Sequence, residues 1–201
     1  MIGEVEKDKL ITPKGAQPGD AIILTKVVPI EGTAILAREF PERLSARLSQ
    51  TELLEAQNYL FSPGISVYQD AMTAVSAGKV TAMHDPTEGG VVTALWELAE
   101  ACKHTIEVDL KKIPVSSLSL KVCSVFDLDP LGTIASGALL ITAAASSVSN
   151  IVTSLSSKSI PAAVIGQVKN GPAEVIEVSG SLNLQLRKFP RDEITRAFEG
   201  I

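Results

Sequence analysis

The sequence predicts an α/β domain in which strands alternate with helices before the chain closes on two final strands. Three observations carry that prediction. Short β-branched apolar runs, such as "AIILTKVV" at residues 21–28, recur between stretches whose apolar residues return every three or four positions. Helix-start signals precede several of those stretches, the clearest being Ser49-Gln50-Thr51-Glu52. A chain of 201 residues that is 45% hydrophobic, with mean hydropathy +0.25, also holds ample material for one core.

The elements follow in order. "GEVEKDKLITPKGAQPGD" is polar and rich in Gly and Pro, so residues 1–19 read as an interdomain linker or the tail of another domain. The folded part is expected over residues 20–188, with 189–201 as a C-terminal tail. "AIILTKVV" is a buried strand, and "EGTAILAREF" is a short helix or turn. Ser49 and Glu52 form a capping box, each satisfying the other's free backbone amide, and open a helix through "TELLEAQNYL". Ser66 and Gln69 repeat the spacing ahead of "VYQDAMTAVSA", where Gly78 is expected to end the helix in the left-handed conformation. "KVTAMHD" is a strand. Val92, Leu95, Trp96, Ala99 and Cys102 then fall on one face of a helix that packs on the sheet. "TIEVDL" is a strand, "VSSLSLKVCSVFDL" a helix and "GALLITA" a strand. Val148, Ile151, Val152 and Leu155 form the apolar stripe of another helix. "PAAVIGQV" and "AEVIEV" are strands separated by Asn170-Gly171, a pair that tolerates positive φ and predicts a hairpin.

Charge and composition exclude several functions. The formal net charge is −5 and the cations are scattered singly, so the basic stripe that grips a phosphate backbone is missing and nucleic acid is not an expected partner. The longest apolar stretch, "LGTIASGALLITAAA", is interrupted by Gly, Ser and Thr and is too short to span a bilayer. No membrane association is expected, and the location is read as cytoplasmic. Cys102 and Cys123 lie on separate helices without CxxC spacing and read as buried thiols. With only His84 and His104 in the chain, no metal site is expected.

The chemistry-bearing stretch is "HDPTEGG", residues 84–90, where a strand turns into a helix. Backbone amides in the first turn of a helix have no carbonyl partner within it and sit at the positive end of its dipole, so Gly89, Gly90 and Val91 are placed to bind an anion. Missing side chains at Gly89 and Gly90 let a phosphate approach, and Thr87 can cap the helix or add a hydroxyl donor. The alternative is that the helix packs so closely on its strand that only glycine fits. Glu88 opposes the first reading, because a carboxylate ~4 Å from a phosphate costs on the order of 1 kcal/mol even in water. His84 and Asp85 read as a local hydrogen-bonding pair or loop anchor.

"GISVYQDAMTAVSAGKVTAMHDPTEGGVVTALWELAEA", with "PGDAIILTK", "DPLGTIASGALLIT" and "IPAAVIGQV" in the same order, resembles the C-terminal domain of the aminoimidazole ribonucleotide (AIR) synthase, or PurM, superfamily, closest to its hydrogenase-maturation branch, HypE. The resemblance spans about residues 10 to 180. It implies a three-layer α/β/α domain with a mixed sheet, partly ferredoxin-like, that closes one side of an ATP cleft. It also implies an N-terminal AIR synthase-like domain as partner, which carries the ligands for Mg and builds a homodimer, and a small-molecule or protein-tail substrate. Carried over by position, His84, Asp85, Thr87, Gly89 and Gly90 match the cleft-facing glycine-rich segment, and Ser136 and Gly137 match a second loop beside it.

Two departures narrow what the resemblance carries. The hydrogenase-maturation proteins end in a Pro-Arg-Ile-Cys-like tail bearing a reactive thiol, whereas this chain ends "FPRDEITRAFEGI". Their second loop commonly reads Asn-Glu-Gly, and here it is Ala135-Ser136-Gly137, without the carboxylate. The catalytic acid and base are therefore not assigned. The chain is expected to be the C-terminal domain of an ATP-dependent protein, inactive alone and holding neither ATP nor Mg tightly. The alternatives are a domain of the thiamine-monophosphate kinase, selenophosphate or purine synthetase type, or a non-catalytic dimerisation or interaction module.

Overall fold

Successive residues of a strand point to opposite faces of its sheet, and in β1 (Ala21–Thr25) that alternation feeds two cores at once. The computed structural model describes residues 4–179 and 182–199. Ile22 and Leu24 join the apolar cluster beneath α5 (Gly90–Cys102), while Ile23 joins a second cluster beneath α4 (Tyr68–Ala77) and α7 (Val148–Ser157). Strand β4 (Leu140–Ala143) divides in the same way, with Leu140 toward α5 and Ile141 and Ala143 toward α4 and α7. The result is the three-layer α/β/α arrangement that the family resemblance implies. A third cluster unites α1 (Ile30–Glu39), α2 (Pro41–Ser45), α3 (Gln50–Asn58) and α6 (Ser117–Val125).

With β2 (Val80–His84), β3 (Thr105–Val108), β5 (Ala162–Lys169), β6 (Glu174–Ser179) and β7 (Leu182–Gln185), the sheet has seven strands in the order β2-β4-β1-β5-β3-β6-β7. Every neighbouring pair is antiparallel except β3 with β6, so the sheet is mixed. The capping box at Ser49 and Glu52 is present, with both reciprocal bonds made. Along α5, Val92, Leu95, Trp96, Ala99 and Cys102 are all buried, as their spacing predicts. No helix among the described residues is long and apolar enough to cross a membrane.

Three local expectations are corrected. β5 and β6 do not form a hairpin, because β3 lies between them. Thr105 pairs with Lys169 on one side and Glu174 on the other, and the loop that holds Asn170 and Gly171 arches over it. Thr105 Oγ1 donates to the Pro172 carbonyl at 2.9 Å, filling the space where a hairpin turn would close. Gly78 is extended (φ −177°) rather than left-handed; a Cβ there would stand 2.6 Å from the Ser147 Cβ, so close packing explains it. Nor do Ser66 and Gln69 form a capping box: the N-cap of α4 is Val67, Ser66 Oγ reaches only Tyr68 N at 3.5 Å, and the Ser66 carbonyl accepts from Lys26.

Residues 16–20 and 186–197 pack on this body. Ala16 is fully buried, and Asp20 Oδ2 accepts from Gln17 N at 2.8 Å and Thr81 Oγ1 at 2.6 Å. At the other end, Leu186 and Phe189 pack on the α5 cluster, and Ala197 and Ile194 on the helical cluster.

Both cysteines are free and buried, and burial raises both thiols, Cys123 to about 12. Since the thiolate is the reactive form, neither thiol is expected to react with a chromogenic disulfide reagent near neutral pH in the native protein, and both react once it is denatured. Rapid labelling of the native chain would contradict this burial.

Candidate functional site

The pairing of β2 with β4 places His84 opposite Leu140, which sets the loop after β2 beside the run leading into β4. Within that loop Pro86 is buried and Asp85, Thr87 and Glu88 are exposed. The Thr87 carbonyl accepts two amides, from Gly90 at 3.1 Å and from Ala135 at 3.3 Å. One carbonyl therefore closes the first loop and stitches it to the second. Gly89 and Gly90 both have positive φ, +75° and +65°. A Cβ at Gly90 would lie 2.5 Å from the Leu131 carbonyl oxygen and 2.8 Å from that of Thr133; at Gly89 it would meet Thr93 Oγ1 at 2.2 Å. Local fit requires both glycines, as a packing reading expects, though the crowding comes from the 131–133 backbone at Gly90 and the Thr93 side chain at Gly89 rather than from the preceding strand.

That packing leaves an anion-accepting corner, and a carboxylate sits in it. Asp192 Oδ2 accepts from Gly89 N at 2.6 Å, and Asp192 Oδ1 from Ile134 N at 3.2 Å and Ile194 N at 2.8 Å. A negative group at the head of α5 also meets the positive end of its dipole. The sequence expectation of free amides is thus corrected in detail, since Gly90 N–H is taken by Thr87 and Gly89 N–H by Asp192. Thr87 contributes its carbonyl rather than a capping hydroxyl; the N-cap of α5 is Gly89, which has no side chain to offer. His84 Nε2 lies 2.7 Å from Glu97 Oε2 and ties the strand end to α5.

The second loop is held from below. Gly137 (φ +111°) is buried, and its carbonyl accepts from Lys26 Nζ at 2.9 Å; Ser136 is half-buried beside it. Lys26 Nζ also donates to the Ser66 carbonyl at 2.7 Å and lies 3.2 Å from Asp70 Oδ2. Thr25 Oγ1 donates to Asp70 Oδ1 at 2.6 Å and accepts from Leu139 N at 3.1 Å. Lys26 and Asp70 are 7% and 1% exposed, so this is a buried ion pair in which backbone carbonyls take the remaining Lys26 donors and the Thr25 hydroxyl bonds the other Asp70 oxygen. Sequence reasoning missed Lys26, Asp70 and Asp192. Asp70 had a signal, an acid four residues before buried Ala74 on the apolar face of α4. Lys26 turns inward through φ +57°, which no residue pattern announces, and Asp192 arrives from a distant segment.

The amides that the two loops turn toward this corner are satisfied by the protein's own Asp192 carboxylate. Among the described residues no group of three or more His, Cys, Asp or Glu side chains is placed to hold a metal ion.

Residues 17–179 match the family described as AIR synthase related protein, C-terminal domain. Over 132 residues, 65% of the chain and 36% of the relative, the sequence is 32% identical to a hydrogenase expression/formation protein of Methanocaldococcus jannaschii. Over 148 residues, 72% of the chain and 38% of the relative, it is 30% identical to carbamoyl dehydratase HypE of Cupriavidus necator. The fold resembles that of hydrogenase maturation protein HypE solved in complex with ATP, with TM-score 0.76 and 22% identity over 96% of this chain and 57% of that one. The chain spans well under half the length of these two sequence relatives.

The Lys26–Asp70 pair yields a stability prediction. Lys26→Met leaves the Asp70 carboxylate buried without a counter-charge, and breaking a buried pair this way costs about 3–5 kcal/mol, measured by urea unfolding. Asp70→Asn costs less, because Lys26 keeps both carbonyl acceptors. A loss below about 1 kcal/mol for Lys26→Met would mean that the pair behaves as a solvated one.

Proposed function

The chain belongs to the AIR synthase-related family, matching its C-terminal domain, and from that membership we propose that it is the C-terminal domain of a HypE-like, hydrogenase-maturation-type ATP-dependent protein. It supplies one wall of the ATP cleft. His84, Asp85, Thr87, Gly89 and Gly90 form one loop of that wall, and Ser136 and Gly137 the other. The supporting observation is the convergence of the Gly89 and Ile134 amides, from two separate loops, on a single carboxylate. Donors aimed at that point suit a phosphate oxygen equally well, and each charge-assisted bond contributes about 1.5–3 kcal/mol.

In this reading the rest of such a protein, an N-terminal AIR synthase-like domain, carries the acidic ligands for Mg and builds the homodimer. Mg, when bound there, neutralises charge on the transferring phosphoryl group. This chain's residues orient and hold the phosphates, and the Lys26–Asp70 pair keeps the second loop in place beneath them. The substrate is a small molecule or a protein tail presented across the cleft. The location is read as cytoplasmic.

Titration with ATP and Mg, followed by amide NMR, tests the wall. The Gly89, Gly90 and Ser136 resonances are expected to move with weak affinity while those of α7 stay in place; shifts confined to other faces would overturn the assignment. Glu88→Arg removes a repulsion of about 1 kcal/mol, so it is expected to tighten ATP binding about fivefold. The chain alone is expected not to hydrolyse ATP, because donors that hold ground and transition states equally well do not accelerate a reaction. Phosphate release above a denatured control, persisting through further purification, would place a complete site within this chain.

A further inference from the structure

We propose that the outer face of α4 and α7 is an interface through which two copies of this chain pair about a twofold axis, the ridge formed by Tyr68 and Met72 of each copy seated in the groove between α4 and α7 of the other. The contact is independent of the phosphate-wall reading and of the homodimer that an N-terminal domain builds in that reading. Three observations carry it. The first is a strip of apolar side chains in water. Phe61 and Ile65, in the run that enters α4, and Tyr68, Met72 and Val75 on the helix itself are between 42% and 74% exposed. Tyr68, Met72 and Val75 stand at i, i+4 and i+7 and so share one side of the helix. Arg38, 5.7 Å from the centroid of the Phe61 ring, marks the polar end of the strip.

The second observation is charge. Charged residues make up 20% of the chain, yet between Phe61 and Gly78 the only one is Asp70, which is buried against Lys26, and from Ala143 through Ser157 there is none. Loss of charge with Tyr, Phe and Met in its place is the composition of an interface core rather than of a solvated helix pair. It also bears on the partner. The chain carries a net charge of −5, so two copies repel one another through acidic faces, and a neutral face lets them approach.

The third observation is shape. Beside the ridge runs a groove of about 400 Å³, lined by Thr73, Ser76 and Ala77 of α4, by Ser154 and Ser157 of α7, and by Lys158. A surface that carries a ridge and a groove side by side is complementary to itself under a twofold rotation, which is the condition for a closed dimer. Lys158 also offers a cation to an incoming Tyr68 ring. The five exposed side chains present on the order of 500 Å² per copy, near the upper end of what a monomer leaves in one patch. Two copies together bury about 1,000 Å², the lower bound for a specific interface, so the dimer is a weak one.

The experiment is sedimentation velocity of the full chain from about 1 µM to about 1 mM, the range in which an interface of this size dissociates. A monomer-dimer equilibrium is expected, and about 0.5 M sodium chloride is expected not to weaken it, because no ion pair holds it. Met72→Glu on the ridge and Ser157→Lys in the groove, both at exposed positions, are each expected to raise the dimer Kd at least about tenfold without unfolding the chain. Mixing the two variants is expected to restore association, since the new carboxylate of one meets the new ammonium of the other. Tyr68→Ser serves as the ridge variant if Met72→Glu misfolds. A chain that stays monomeric throughout would overturn the proposal and leave the face to a different partner. Dissociation by salt, a dimer that survives both substitutions, or one weakened by only one of them would overturn it as well, the first by pointing to ion pairs, the second to another face and the third to a contact without reciprocal seating.

Discussion

The contact on which the site depends is the approach of the 131–133 backbone to Gly90, where no side chain can stand between the start of α5 and the loop before β4. It is a backbone-to-backbone fit of the kind that leaves no tolerance, since the neighbouring atoms are carbonyls and cannot rotate away. From it follow the left-handed turn at Gly89 and Gly90, the direction in which α5 leaves the sheet, and the stitching of Ala135 N to the Thr87 carbonyl. The two candidate loops are therefore one structure, and a change in either is felt in the other.

A second constraint acts from the opposite side of the loop pair. Burying a lysine and an aspartate is costly, and a bare ion pair rarely repays the desolvation. Here the surplus donors of Lys26 go to two carbonyls, Ser66 and Gly137, so the charge also serves as a clamp on the second loop. An apolar pair of similar volume could fill the same space, yet it would leave those carbonyls without donors. The polar arrangement is thus tied to holding Gly137 where it is.

Much of the architecture was legible because it follows from local rules. Apolar spacing located α5, the capping box located α3, and β-branched runs located β1 through β6. What escaped depended on distant residues. Asn170-Gly171 has the chemistry of a hairpin turn, but whether two strands pair is decided by what lies between them, and β3 comes from earlier in the chain. β7 is a short strand of mixed polarity, whose run gave no clear signal. At the site the same division holds. The glycine pair stood out, since two residues without side chains at a helix mouth are locally unusual. Asp192 did not, because in "FPRDEITRAFEGI" it reads as one surface charge among several, and its meaning appears only when the segment folds back on α5.

The glycines show why a packing explanation and a binding explanation need not compete. Packing demands that Gly89 and Gly90 carry no side chain, and Gly89 N–H stands at the positive end of a helix without a partner inside it. Buried there, that amide needs an acceptor, because leaving it unpaired costs about 1–3 kcal/mol. Water, a ligand or the protein itself must supply one, and in this chain the protein does, through Asp192. A close-packed helix start thus creates an acceptor requirement as a physical by-product, and whichever acidic group is nearest at sufficient local concentration meets it. A carboxylate tethered a few residues from a fixed anchor has a high effective concentration at that amide. The geometry at Gly89 therefore couples the packing of α5 to the position of the C-terminal segment.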